Sequence, residues 1–240
     1  MVPETRGLFH GPPGYAARTP WRPYTALAAT AALLLMHLGC VRALALALDR
    51  SWAVAISLVI QIVLILGAST LFGGNPRDVL ALGRPVGGWR AYVWAFLLVP
   101  ALVAYALLAI ILFTFGLRGE SVTLPPAFPP VLDGTEWALW LAVAVVLGPV
   151  REELLFRGFM LPALAQTRLE FWGGALVVAG AWAAFHGSLL RLVPVFAIGA
   201  LLGWLLRRTG SLRVPIFSHA VHNLIVLLAP LAGLPVWPSG

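Results

Sequence analysis

The chain has 240 residues, 60% of them hydrophobic and only 10% charged, with a net charge of +7. An ordinary soluble domain carries roughly 45–50% apolar and about 25% charged residues, so a water-soluble fold is excluded. All 16 basic residues are Arg. Their placement in alternate loops reports membrane topology, not the phosphate-binding patch of a nucleic-acid protein, so no nucleic-acid partner is expected.

Residues 1–23, rich in Pro and Arg, read as a mobile cytoplasmic tail. Residues 24–117 hold the N-terminal transmembrane helices, with apolar runs at 25–48, 52–72 and 92–117 that approach the roughly 20 residues a helix needs to cross the bilayer core. Polar side chains there are isolated: His37, Arg42 and Gln61. Cys40 has no partner, which rules out a disulfide framework or a multi-thiolate metal site within one chain. The small residues closing the first run mimic a signal-cleavage site, but the long stretch before it and the interrupting Arg42 favour a retained anchor.

Residues 118–136, RGESVTLPPAFPPVLDGTE, form an external loop. After it come apolar runs at 137–150, continuing through a charged motif, and at 174–190, 192–206 and 214–231. About seven spans result, six to eight allowing for short or interrupted runs. No run alternates polar and apolar residues as a barrel strand does, so the fold class is all-α, a polytopic transmembrane helical bundle. Arg6, Arg18 and Arg22 precede the first span; Arg77, Arg84 and Arg90 follow the second, Arg168 the fourth, and Arg207, Arg208 and Arg213 precede the last. The opposite loops hold only Arg50, Arg118 and Arg191, which makes the N-terminus cytoplasmic.

The motif is GPVREELLFRGFM, residues 148–160. On a regular α-helix Glu153 and Arg157 lie about 40° apart and Glu152 and Arg157 about 140° apart. Glu153 is thereby expected to pair with Arg157 as a structural ion pair, and Glu152 is left over. A carboxylate left over near hydrocarbon is costly and a functional candidate by default. Arg151 is expected to snorkel to the interface.

Two further polar sites follow. His186 in GAWAAFHGSLL is about twelve residues into its apolar run, about 18 Å along a helix and well inside the membrane. In VPIFSHAVHNLIVLL, His219 and Asn223 share a helix face, with His222 about 60° to the other side of His219 and still open as the working residue. Each site alone is matched by a packing explanation, an interhelical hydrogen-bond node worth about 0.6 to 2 kcal/mol. Together they supply a base for water, an imidazole and oxyanion donors, the inventory for hydrolysing an acyl bond. Gly199 and Gly203 in AIGALLGWLL are spaced for close helix approach.

These residues resemble the type II CAAX prenyl endopeptidases and their bacterial relatives, the Abi or CAAX-protease and bacteriocin-processing family. The family's Glu-Glu-x-x-x-Arg motif is matched by Glu152, Glu153 and Arg157, its aromatic-x-x-x-His motif by Trp182 and His186, and its His-x-x-x-Asn motif by His219 and Asn223. Trp182 stands where the family more often has Phe. The resemblance covers residues 137–231, a catalytic helical core, and does not reach the first 136 residues. It implies an intramembrane glutamate peptidase of a prokaryotic cytoplasmic membrane, with Glu152 and His186 activating water and His219 and Asn223 lining the oxyanion hole. It further implies a membrane-associated peptide or protein substrate, prenylated or otherwise lipidated in the eukaryotic members. Family members have been described both as metal-free and as metalloproteases. No cofactor is expected here, while a zinc site would take Glu152, His186 and His219 as ligands. The competing functions are a non-catalytic membrane adaptor or bacteriocin-immunity protein of the same fold and a small-solute transporter, the latter disfavoured for want of an internal repeat.

Overall fold

Apolar chain in a bilayer must satisfy its backbone groups within itself, which leaves helices as the economical solution. The structure is a computed structural model that describes residue 15 and residues 19–99, 134–186 and 189–228, and over these it contains eight helices and no strand. They are α1 (Pro23–Leu44), α2 (Arg50–Gly73), the short α3 (Pro76–Val79), α4 (Trp89–Val99), α5 over residues 134–165, α6 (Glu170–Ala184), α7 (Leu189–Thr209) and α8 (Arg213–Leu228). Three of them are long and apolar enough to cross a membrane by length and composition: α1, α2 and the Leu192–Thr209 part of α7. The molecule is an all-helical membrane bundle. The expected third span, 92–117, and the external loop lie mostly outside the described residues.

The sequence encodes the helix boundaries locally. Pro occupies the first turn of α1, where its missing N–H costs nothing. Gly74, at φ 87, supplies the left-handed turn that ends α2. Asn75 accepts from Arg77 N at 3.0 Å to cap α3.

The central column is α5, buried on all sides from Leu154 to Leu164. It packs against α1, α2, α6 and α8, so its charged motif is surrounded by protein and not lipid. Arg151 is accordingly 5% exposed, and the expected snorkelling does not occur. Helices α6 and α7 approach closely where a Cβ on Gly199 would stand 3.0 Å from Ala179 Cβ and one on Gly203 3.3 Å from Ala175 Cβ. The glycine spacing works as expected.

The Arg-rich loops meet at one end of the bundle. Val86 N donates to Thr209 O at 2.7 Å, Leu212 N to Ala81 O at 2.8 Å, and Ser211 Oγ to Gly83 O at 2.6 Å. Of the tail, Tyr15 and Trp21 are among the described residues, and both are held by contacts to the bundle. Arg207 Nη1 donates to Tyr15 O at 2.6 Å, and Trp21 stacks on Phe159 while donating from Nε1 to Phe159 O at 2.8 Å. Tyr15 and Trp21 are buried.

Candidate active site

Helix α5 is not uniformly α-helical: it is π-helical over Ala142–Leu147 and again over Leu154–Met160. Each wide segment ends two residues before a proline, with Gly148 standing between Leu147 and Pro149 and Leu161 between Met160 and Pro162. In the first, Gly148 N–H bonds back five residues to Val143 O. Ala144 O would next take residue 149, but proline has no N–H to give. That carbonyl is left for a partner outside the helix, and Asn223 Nδ2 donates to it at 2.8 Å. In the second, Leu161 N–H likewise bonds five residues back to Phe156 O, with Pro162 following. The carboxylate pair lies on the six-residue α segment between the two, Gly148–Glu153. Wide turns of this kind often mark functional sites.

The two glutamates have different surroundings. Glu153 has no exposed surface, and its Oε1 accepts from Arg157 Nη1 at 2.9 Å and from His219 Nδ1 at 3.0 Å. Arg157 also donates from Nη2 to Gly199 O at 3.2 Å and lies 4.7 Å over the Trp182 ring. The expected Glu153–Arg157 pair is present and is part of a four-helix node. Glu152 is 26% exposed, with Oε2 accepting from Trp182 Nε1 at 2.5 Å and standing 4.0 Å from His219 Nε2. A Phe at the position of Trp182 could not make that bond.

His186 is not in mid-helix as expected. It occupies the turn that ends α6, whose helical residues stop at Ala184. Its own N–H tightens onto Ala183 O at 3.1 Å, which frees Trp182 O, and the His186 ring Nδ1–H caps that carbonyl at 2.9 Å. The bond places a proton on Nδ1, so that in the neutral ring the lone pair is on Nε2. The Trp182 ring stands edge-on between the rings of His186 and His219, at centroid distances of 4.8 and 5.2 Å. Glu152, His186 and His219 therefore gather around one indole. Asn223 faces α5 from α8 as His219 does, yet takes a different partner, and one of its two amide N–H groups is already spent on Ala144 O. The ring Nδ1 of His222 is buried without a hydrogen-bond partner among the described residues.

Glu152 and His186 open onto a cavity of about 260 Å³ between α1, α5 and α6, shared with Leu34, His37, Leu38, Arg151, Phe156, Trp182 and Phe185. Sequence reasoning missed the part that α1 and α2 play here. Arg151 Nε donates to Gln61 Oε1 at 2.8 Å, Gln61 Nε2 to Ser57 Oγ at 3.4 Å, and Ser57 Oγ lies 2.9 Å from His37 Nδ1. The available signal was His37, Ser57 and Gln61 in two otherwise apolar runs, at spacings that put Ser57 and Gln61 on one face.

Zinc would need its ligand atoms gathered at about 2.0–2.2 Å from one point. Among the described residues no three His, Cys, Asp or Glu side chains converge in that way. Glu152 Oε2 is engaged by Trp182, and His219 Nδ1 by Glu153. The three side chains are not gathered as zinc ligands in this arrangement, and the chemistry below is derived from the side chains alone.

Residues 134–225 match the family model described as Type II CAAX prenyl endopeptidase Rce1-like. The chain is 29% identical over 119 residues to the protein named "Putative membrane peptidase YdiL" of Bacillus subtilis (strain 168), covering 50% of this chain and 47% of that one. It is 32% identical over 94 residues to the "Uncharacterized 24.3 kDa protein" of Escherichia coli, covering 38% and 43% respectively, and 24% identical over 153 residues to YyaK of Bacillus subtilis, covering 58% and 48%. The aligned part thus spans about half the length of these curated relatives or somewhat less. No solved structure matches the chain. The resemblance carried by the three motifs is shown over the C-terminal helices, and it supports a membrane protein of the peptidase kind.

Proposed function

From an Rce1-like segment folded into a membrane bundle, we propose that the chain is an intramembrane endopeptidase that cleaves peptide bonds of membrane-associated or lipidated substrates with water activated by Glu152. One observation carries the reading: of two adjacent carboxylates, one is buried and consumed by Arg157 and His219, while the other faces a cavity beside the His186 imidazole. Glu152 takes a proton from water as the water attacks the scissile carbonyl. His186, its Nδ1–H anchored on Trp182 O, offers Nε2 to orient that water and to relay the proton to the leaving amine. His219, donating from Nε2–H as the imidazolium whose Nδ1–H Glu153 holds, and the remaining N–H of Asn223 serve the oxyanion. Every role is filled without a metal ion.

A non-catalytic adaptor or immunity protein would use the same cluster only as a packing node. The discriminating experiment is hydrolysis of a membrane-peptide library by purified wild type and Glu152→Ala, read by mass spectrometry. Cleavage products from wild type and none from the variant support the peptidase; no products from folded wild type favour the adaptor.

A further inference from the structure

The α1–α2 wall of the cavity holds a chain of hydrogen bonds that starts from Arg151. Arg151 can only donate, so Gln61 presents Oε1 to Arg151 Nε and Nε2 to Ser57 Oγ. Ser57 Oγ, accepting there, still has its own proton to give to His37 Nδ1, and in the tautomer that takes it the His37 proton sits on Nε2. Ser57 and Gln61 have no exposed surface, so this ladder is held rigidly between α1, α2 and α5. It ends in donors at both sides: the His37 ring N–H and Arg151 Nη2. Arg151 is 5% exposed, its Nη2 is buried without a partner, and no carboxylate lies within ion-pair distance of it among the described residues. Both residues line the cavity that Glu152 and His186 share.

A buried guanidinium with an unanswered N–H is costly unless something anionic completes it. Two donors and no acceptor on one wall call for a group rich in lone pairs, and a carboxylate matches Arg better than an amide carbonyl does. The hydrolytic groups come from α5 and α6, on the other wall. We infer that Arg151 Nη2 and the His37 ring N–H form a carboxylate subsite, which holds a carboxylate of the substrate away from the bond that Glu152 attacks. The inference rests on the peptidase reading for the nature of the ligand. The carboxylate can be a chain terminus or an acidic side chain, and the test separates them.

Binding is measured by fluorescence anisotropy on the full chain in detergent, carrying Glu152→Gln so that nothing is hydrolysed. The probes are a labelled apolar tetrapeptide with a free C-terminal carboxylate, the same peptide as its C-terminal amide, and the amide with Glu as its last residue. The free-carboxylate probe is expected to bind about 10- to 100-fold more tightly than the plain amide, the range of a charge-assisted hydrogen bond. Tight binding of the Glu-containing amide assigns the subsite to acidic side chains as well; weak binding assigns it to the terminus. Adding Arg151→Met should remove the preference, Arg151→Lys should keep part of it, and His37→Phe should reduce it. Equal binding of all three probes overturns the subsite, as does a preference that survives Arg151→Met. If Arg151→Met does not fold, the probe ratio in the Glu152→Gln protein and its change with His37→Phe decide. A clear preference beside wild type that cleaves nothing would leave the subsite standing and remove the peptidase; cleavage with no preference would do the reverse.

Discussion

Glu153 has no exposed surface and two partners within 3.0 Å, whereas Glu152 keeps 26% of its surface and a single indole donor. The wheel argument from sequence reached that division because it needs only the i, i+4 relation of Glu153 and Arg157. It could not reach His219 as the second partner of Glu153, which depends on how α8 packs. Breaking the node should cost folding free energy: Glu153→Ala or Arg157→Ala strands a buried charge at about 3–5 kcal/mol. Both variants should show reduced folded yield or a lower melting temperature in detergent, and two variants that melt like wild type would remove the pair from the structural account. Trp182 is expected to matter differently. Trp182→Phe keeps the aromatic wall but deletes the one hydrogen bond that Glu152 Oε2 accepts among the described residues, so turnover should fall by about 10-fold with the melting temperature little changed. Turnover within about twofold of wild type would mean that Glu152 is positioned by something else.

At the level of the helices, the sequence carries most boundaries but not the shape of α5. Apolar length predicts its position but treats the motif as a regular α-helix. The two π segments arise because Pro149 and Pro162 break the hydrogen-bond ladder from within, a signal that is present in the sequence but has no unique outcome without tertiary packing. His186 was misplaced for a related reason: the apolar run 174–190 continues past the helix, so hydropathy does not register the turn at 185–186. Asn223 links the two themes, since its bond to Ala144 O answers a carbonyl that Pro149 cannot. A double-mutant cycle tests this. Asn223→Ala alone should destabilise by about 1–3 kcal/mol by leaving the carbonyl unsatisfied. With Pro149→Ala restoring an N–H at that place, the loss should shrink, giving a coupling of at least about 0.5 kcal/mol. Strictly additive effects would sever Asn223 from the π segment.

For the whole molecule, charge placement foretold which loops share an end, and the bonds joining residues 81–86, 207–212 and Tyr15 put them there. The role of α1 and α2 in the cavity was not legible, because His37, Ser57 and Gln61 look isolated until the helices pack. Which end is cytoplasmic can be read with single cysteines in a Cys40→Ser background. In right-side-out vesicles, Arg90→Cys should be shielded from an impermeant thiol reagent and Arg50→Cys labelled; the opposite pattern would invert the topology. The central claim is that the Glu152 carboxylate itself activates water. It is tested most directly by the turnover of one cleaved peptide by wild type and Glu152→Gln, each exhaustively chelated. Wild type should keep its activity, and the variant, still folded in the membrane, should lose at least about 10²- to 10⁴-fold, the contribution of a positioned base. Activity of Glu152→Gln above about a tenth of wild type, or wild-type activity lost on chelation and restored by zinc, would contradict it.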